Sequence, residues 1–556
     1  MPRQLGQHAT RPDVADLIAS FCLRDGAERV LDPSCGSGAL LQAASRRAAF
    51  LGGREPQLTG VELDARLARE ASQVLPGARI VQGDFLEPGL EQRLGSQRFD
   101  AVLGNPPYVR HEQLPAGTRT GRADLHLRFW PAALALLRDG GRMGFLTSSM
   151  WLDAGYGSGL RGLLARGVSV VALIESACES WFHRARVRTV ICILEKQPPA
   201  PRPMTRTVRL EQRLDEIAPL HAGQRARLGR LDELARSIEQ RPATVCLLAP
   251  RWGSLLRASP LCEEIVAAAG DRLVPLAEVA GVRWGIKSGD DELFFPHRDS
   301  LPAVEARYLV PAVFSLMDLD RVVVTEDQLR RRLLRVDLRE EPAISAAMQR
   351  LLRRAQRDRA THRRPTCAQR ESAGATPRRW FELRPGPPGQ ILWSVMQQYR
   401  HLVPFNPHGF PSNDNLLLIY PAPGVEPKLL AALLNSHVQA LLKGSSGRWR
   451  NEGMIKMQAE DLRRMPVPDP RRLSGPLLRG VLAAFDVIAS RRVGKLTVES
   501  GMKDRARLDR LVLQALGFPP RHARAFQKRL CAELTRHTER ERQWEQDAQA
   551  ARRTVG

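Results

Sequence analysis

Four short apolar segments lie within the first 105 residues, and each closes on a glycine, an acid or a polar turn. Arg29-Val30-Leu31-Asp32 runs into Pro33-Ser34-Cys35-Gly36-Ser37-Gly38, and Ala39 to Ala49 then reads as a helix. Leu58 to Asp64 is a second strand, ending in acid, and Ala78 to Phe85 a third, ending in an acid and an aromatic. Phe99 to Gly104 is the fourth, with Ala101, Val102 and Leu103 unbroken and no charge after Asp100. Short buried runs separated by helices make βαβ units and a mostly parallel sheet. Such a sheet binds its ligands at the carboxyl ends of its strands.

What stands at those ends narrows the chemistry. Glycines at a strand-to-helix turn let a ligand approach the backbone closely. No Gly-Lys-Ser/Thr follows this turn, so it is not a P-loop, and the full Gly-x-Gly-x-x-Gly is absent, so a dinucleotide is the weaker expectation. Glu62 stands at about the distance downstream where a nucleotide-binding unit places its ribose-binding carboxylate. The expected ligand carries a ribose and an adenine and needs no phosphate cradle. Asn105-Pro106-Pro107-Tyr108 closes the fourth strand. Pro106 and Pro107 fix φ and donate no hydrogen bond, so carbonyls in this loop stay free to accept. The Asn105 side-chain oxygen beside a free carbonyl pairs two acceptors toward one amino group. Tyr108 adds a flat face on which a planar ring can stack.

In this order the residues resemble the class I S-adenosylmethionine-dependent methyltransferases, specifically the amino-group DNA methyltransferases with an Asn-Pro-Pro-Tyr motif. Pro12 to Ser20 resembles that family's amino-terminal cofactor motif. Asp32, Pro33, Gly36 and Gly38 match its glycine-rich motif, Glu62 its ribose-binding acid, and Asp84 with Phe85 its adenine-binding pair. Asp124, Leu125 and Phe129, then Gly140 to Phe145, match the next helix and strand. Trp181-Phe182 with Val187 to Ile191 resembles the later motif whose aromatic stacks on a flipped base; the resemblance implies Phe182, with Trp181 as competitor. It implies S-adenosylmethionine as cofactor, held by Thr10, Asp32, Pro33, Gly36, Gly38, Glu62, Asp84, Phe85 and Asn105. It implies catalysis by Asn105, Pro106, Pro107, Tyr108 and Phe182, with no metal. One departure stands out: the family has Thr-Pro adjacent in its first motif, and here Arg11 separates Thr10 from Pro12. The contact of Thr10 with the cofactor is therefore open.

The motif order resembles adenine-N6 methyltransferases that carry a target-recognition domain after the catalytic one. That implies methyl transfer to the N6 amino group of a flipped adenine in double-stranded DNA, within a restriction-modification or phage-defence system. A restriction endonuclease or specificity partner encoded separately is compatible with this order, whereas a nuclease fused at the amino terminus is not expected. The same tetrapeptide occurs in methyltransferases acting on RNA or on a protein glutamine, which stand as the alternative.

Composition agrees. Formal net charge is +24 and the pI about 10.8, suited to a polyanionic partner. The eight Cys form no Cys-x-x-Cys, so neither a zinc site nor a disulfide frame is expected. No apolar run reaches the ~18 residues that span a bilayer, and no signal peptide opens the chain. A cytoplasmic protein is expected.

The expected organisation is a Rossmann-like α/β catalytic domain over residues 1–200, then a basic connector over 201–270 after the proline-rich run from Pro198 to Pro203. A mixed α+β target-recognition domain follows over 271–470, and a helical region over 471–556. Within the third segment, Val279 to Phe295, Ser412 to Leu416, Leu433 to Ser436 and Gly447 to Pro468 resemble the recognition domain of the same family. Trp284, Lys287, Arg448 and Trp449 are its candidates for gripping DNA, and the Arg- and His-rich run from Arg350 to Arg379 is a candidate for phosphate contact. His8, His126 and His183 have no expected catalytic role.

Overall fold

The computed structural model describes residues 9–26, 28–53, 55–95, 98–108, 125–181, 188–197, 203–243, 245–247, 251–339, 343–362, 379–383, 386–449 and 454–553. The chain forms two compact units. The first comprises Met1–Ala258, Arg450–Glu452 and Arg540–Gly556; the second comprises Ser259–Trp449 and Gly453–Glu539.

The first unit is built on a nine-stranded sheet: β1 (Arg29–Asp32), β2 (Gln57–Glu62), β3 (Arg79–Gln82), β4 (Phe99–Gly104), β5 (Leu137–Ser148), β6 (Ser169–Ser176), β7 (Thr189–Glu195), β8 (Met204–Leu210) and β9 (Val245–Cys246). Their spatial order is β3-β2-β1-β4-β5-β7-β6-β8-β9. β1 pairs in parallel with both β2 and β4, β4 with β5 and β6 with β8; β7 runs antiparallel between β5 and β6. The fold is thus α/β, with the mostly parallel Rossmann-like sheet that the four apolar segments imply.

Alternation along the strands explains the layers. Val30, Ala101, Leu103, Leu146, Ile191 and Ile193 face a buried cluster with helices α1 (Pro12–Cys22), α2 (Ala39–Leu51) and α8 (Gln224–Gln240). Leu31, Val102, Phe145, Val190, Cys192 and Leu194 face a second cluster holding Trp130, Trp151 and Trp252. Successive side chains of a strand point to opposite faces, so continuous apolar runs are what a sheet covered on both sides requires. The remaining helices of this unit are α3 (Ala65–Val74), α4 (Leu90–Leu94), α5 (Leu125–Leu136), α6 (Ser158–Gly167) and α7 (Leu214–Ile217).

Residues 204–258 do not form a free connector. β8 and β9 extend the sheet, and α8 buries Leu231, Ala235 and Ile238 in the α1 cluster. The break between units falls after Ala258, well beyond the proline-rich run.

The second unit is mixed α+β. Its main sheet is antiparallel, Ala280–Trp284 against Leu416–Pro421 against Ile391–Ser394. Helices Gly475–Ala489 and Lys503–Ala515 place Phe485, Ile488, Leu508 and Val512 in one core with Leu430, Leu433 and Trp393. Much of the helical stretch after residue 471 therefore belongs to this core. The motif residues Asn413 and Asn435 also serve the fold. Gly285 abuts Asn413 so closely that a Cβ there would fall 2.0 Å from the Asn413 carbonyl. The buried Asn435 amide donates to the Val403 and Ala431 carbonyls and accepts from the Val403 N–H. Trp284 is 44% exposed. Arg448 is paired with Asp461 at 3.0 Å. The side chain of Trp449 and residues 363–378 of the Arg-rich run lie outside the described residues; residues 350–362 of the run belong to a helix, Ala346–His362.

Candidate active site

β1 lies between β2 and β4, where the strand order reverses; in open α/β sheets ligands bind outside the strand ends at such a point. The glycine turn is built there. Ser34 N–H donates to the Asp32 carboxyl at 3.0 Å, Cys35 N–H to the Val61 carbonyl at 2.9 Å, and Gly38 N–H to the Cys35 carbonyl at 2.8 Å. Gly36 and Gly38 adopt φ of +53° and +93°, in the left-handed region that glycine tolerates. A Cβ on Gly36 would meet nothing within 4 Å, so open space lies beside its backbone. Glu62, buried at the end of β2, accepts from Gly36 N–H and from Asp64 N–H, each at 2.8 Å. This carboxylate latches the turn to the neighbouring strand. Asp64 caps α3 through the Arg66 and Leu67 N–H groups.

Asp32 is 1% exposed, and burial, reinforced by the nearby Glu62, pushes its carboxyl up to about 8 against the opposing Ser34 N–H. Pro33 is buried beside it. Asp84 is exposed after β3, and one carboxylate oxygen accepts from Leu86 N–H at 2.9 Å. Phe85 points inward: its ring stacks on Phe129 at 5.4 Å and 20°, in the tryptophan-rich cluster.

Asn105-Pro106-Pro107-Tyr108 extends from the carboxyl end of β4. The Asn105 amide is held from both sides. Its Nδ2 donates to Thr10 Oγ1 at 3.0 Å, and its Oδ1 accepts from the Tyr108 hydroxyl at 2.9 Å. Tyr108 Oη also lies 3.1 Å from the Leu146 carbonyl, so the hydroxyl proton has two acceptors. Burial holds the phenol well above its ordinary value, so it remains protonated. The Tyr108 ring meets the His126 ring edge-on at 5.9 Å. His126 is 2% exposed, neither ring nitrogen has a hydrogen-bond partner among the described residues, and burial lowers its pKa to about 4. It is therefore neutral.

Phe182 lies outside the described residues. Its competitor Trp181 is 1% exposed and belongs to the α1 cluster, so its indole is a core side chain.

Gly104 fixes the approach of the loop. A Cβ there would stand 2.5 Å from Phe145 Cε1. Gly104→Ala is therefore expected to displace Asn105 and to destabilise the first unit by about 1–3 kcal/mol. Thermal unfolding with matched methyl-transfer rates checks this, and unchanged values for both contradict it.

Two features were missed by motif reading. Arg11, the inserted residue, is largely buried and pairs with Asp13 and Glu179. Arg257 joins the segments that follow β5 and end β6: its guanidinium contacts Glu175 at 2.7 and 2.8 Å, Ser149 Oγ at 2.9 Å and Asp153 at 3.3 Å. The only signal for Arg11 was its departure from the Thr-Pro spacing. For Arg257 there was none.

A family model described as Eco57I restriction-modification methylase matches residues 69–182, from α3 through the Asn-Pro-Pro-Tyr loop to Trp181-Phe182. Over those residues the chain is similar to Eco57I restriction-modification methylases. Around that segment, similarity extends to the Type II methyltransferase M.XamI of Xanthomonas campestris pv. amaranthicola, 28% identical over 342 residues, 57% of this chain and 58% of that one. The Type II methyltransferase M.BanIII of Aneurinibacillus aneurinilyticus is 27% identical over 220 residues, 34% of this chain and 38% of its own. The matches thus span less than two thirds of either relative's length. Among solved structures, the Type IIL restriction-modification enzyme MmeI in complex with DNA superposes with a TM-score of 0.51 at 14% identity, covering 95% of this chain and 73% of that one. At that identity the likeness is one of fold.

Proposed function

We propose that this chain transfers a methyl group from S-adenosylmethionine to the N6 amino group of a flipped-out adenine in double-stranded DNA, within a restriction-modification system. The observation that carries this reading is the Asn105 amide, held between Thr10 and Tyr108 at the end of β4, beside the glycine turn of β1.

The residues at the turn fit the cofactor. Gly36 leaves open space where a ligand would press against the backbone. The Glu62 carboxylate accepts two backbone N–H groups at the turn, where it is placed to accept from ribose hydroxyls as well. Asp84 is exposed and suited to an adenine amino group. Asp32, Pro33, Gly38 and Phe85 complete the proposed set that carries cofactor affinity, Phe85 as packing beneath the site; Thr10 and Asn105 close it on the side of the acceptor and orient rather than bind. S-adenosylmethionine, when bound, supplies an electrophilic sulfonium methyl. Glu62→Gln is expected to weaken its binding roughly 10- to 100-fold, because hydrogen bonds to a charged group carry about 1.5–3 kcal/mol. Calorimetric titration with the cofactor checks this, and unaltered affinity contradicts the assignment.

The chain's own residues then prepare the acceptor. The adenine amino nitrogen is a weak nucleophile because its lone pair is delocalised into the ring. Thr10 takes the Nδ2 end of Asn105, which turns the Oδ1 end away from it. Oδ1, which accepts from the Tyr108 hydroxyl, is the end offered to the adenine. That oxygen and the Pro106 carbonyl can each accept one amino N–H, favouring a pyramidal nitrogen with a localised lone pair. Pro107 stiffens the loop. The Tyr108 ring, with Phe182, stacks on the extruded base and returns about 1–3 kcal/mol per face against the cost of unstacking. Positioning and electrostatics supply most of the rate.

We assign target recognition to the second unit, within residues 271–470. An exposed edge strand there carries Arg283 and Trp284 beside Lys287, a cationic and aromatic surface of the kind that grips nucleic acid. The net charge of +24 supports the same partner. Among the described residues, no helix is long and apolar enough to cross a membrane. Modified-base sequencing tests the reading, as argued below.

A further inference from the structure

The residue that breaks the Thr-Pro spacing is tied into the site. Arg11 is the cap residue of α1, with φ −64° and ψ 142°. A residue before proline is confined to such extended geometry. Its side chain reaches three acceptors on two segments. Nε donates to Asp13 at 3.1 Å, and Nη1 donates to Glu179 at 2.6 Å and to the Ser180 carbonyl at 3.3 Å. Glu179 is itself fixed, accepting from Leu214 N–H at 2.9 Å while its own N–H donates to Ser176 Oγ at 3.0 Å. On one side of Arg11, Thr10 accepts from Asn105. On the other, Ser180 leads directly into the buried Trp181.

We infer that Arg11 is a positioning residue: its clamp on Glu179 and Ser180 sets the register in which Thr10 orients the Asn105 amide. This rests on the reading of Asn105 given above. A guanidinium suits the task because its donors form a rigid planar fork, whereas an ammonium is a point charge on a flexible stem. Without the clamp, Thr10 would hang on a short extended segment, and the amide would lose the partner that selects its orientation. The extra residue between Thr10 and Pro12 thereby becomes part of the site rather than a tolerated insertion.

The test uses Arg11→Lys, which keeps the charge but cannot span all three acceptors, because Arg11→Ala would leave Glu179 buried and unpaired. On the DNA word that the wild-type chain methylates, Arg11→Lys is expected to lower kcat roughly 10- to 100-fold, since small misplacements at a reacting centre cost this much. KM for cofactor and for DNA should stay within about twofold, as expected for an interaction needed only to orient the reacting groups. Thr10→Val should reproduce the loss. The double variant should be no worse than the worse single one, because both changes act through the same Thr10–Asn105 contact. An undiminished kcat in Arg11→Lys, or losses that multiply in the double variant, overturns the inference. Selective isotope labelling of asparagine provides a readout independent of turnover. The Asn105 side-chain amide resonances should shift in both single variants, and resonances unmoved in Arg11→Lys overturn the clamp. A wild-type chain that methylates no DNA overturns the reading of the reaction instead, and the amide resonances then judge the clamp alone.

Discussion

Asn105→Ala is expected to lower methyl transfer at least roughly 100- to 1000-fold, the range seen when one preorganised polar group is removed from a reacting centre. Cofactor affinity should stay near that of the wild type. The asymmetry follows from the contacts. Asn105 bonds to Thr10 and Tyr108, whereas the turn around Gly36 is held by Glu62, Val61 and Cys35. Deleting the amide removes the acceptor proposed for the adenine N–H and leaves that turn intact. The Tyr108 hydroxyl keeps an acceptor in the Leu146 carbonyl, so the loop should not collapse. Single-turnover rates and calorimetric cofactor titration on the same preparation separate the two effects. Undiminished turnover would remove Asn105 from the chemistry.

Arg257→Met is expected to produce the largest loss of stability, about 3–5 kcal/mol, because breaking a buried ion pair from one side leaves its partner charged and unpaired. The Arg257 side chain is 1% exposed and that of Glu175 is 2%. Burial alone would push the Glu175 carboxyl up, but Arg257, with Arg188 and Arg209, outweighs it and holds the group below its ordinary 4.5. A depressed carboxylate contributes stability that is present above its unfolded pKa and fades as pH falls through the folded one. In the variant, burial dominates and the Glu175 carboxyl moves up, tempered by the two remaining arginines. Its penalty is then greatest at neutral pH and shrinks in acid. The gap between wild type and variant should therefore be widest near neutrality and narrow as pH is lowered toward 4.5. Urea unfolding at several pH values measures it. A gap independent of pH would mean that Arg257 acts through packing rather than charge. Since Arg257 joins Ser149, Asp153 and Glu175, activity should fall together with stability.

The first half of the sheet was legible because its strands are short, continuously apolar and bounded by glycine, acid or proline. A sheet covered on both faces buries Val30 with Leu31, and Ala101 with Val102 and Leu103, on two sides at once. β8 was hidden for a physical reason. Met204-Thr205-Arg206-Thr207-Val208-Arg209-Leu210 alternates, but threonines and arginines on it read as a polar stretch, and the prolines before it look like a boundary. The helices after residue 471 could be read as helices, yet their burial partners lie far away in sequence, at Leu430 and Trp393. Asp84-Phe85 could be recognised as a pair, but nothing in two letters says that the ring stacks on Phe129. Arg11 and Arg257 were beyond reach for a simpler reason. Basic residues number 84, and a buried, paired arginine is spelled like a solvated one.

The most direct test of the central claim is modified-base sequencing of DNA from a methylation-free host expressing this chain, with Asn105→Ala as control. N6-methyladenine is expected at one short repeated word, present with the wild type and absent with the variant. Unmodified DNA from a host whose expressed protein binds S-adenosylmethionine would contradict it, and would point to RNA, a protein amide or a missing specificity partner.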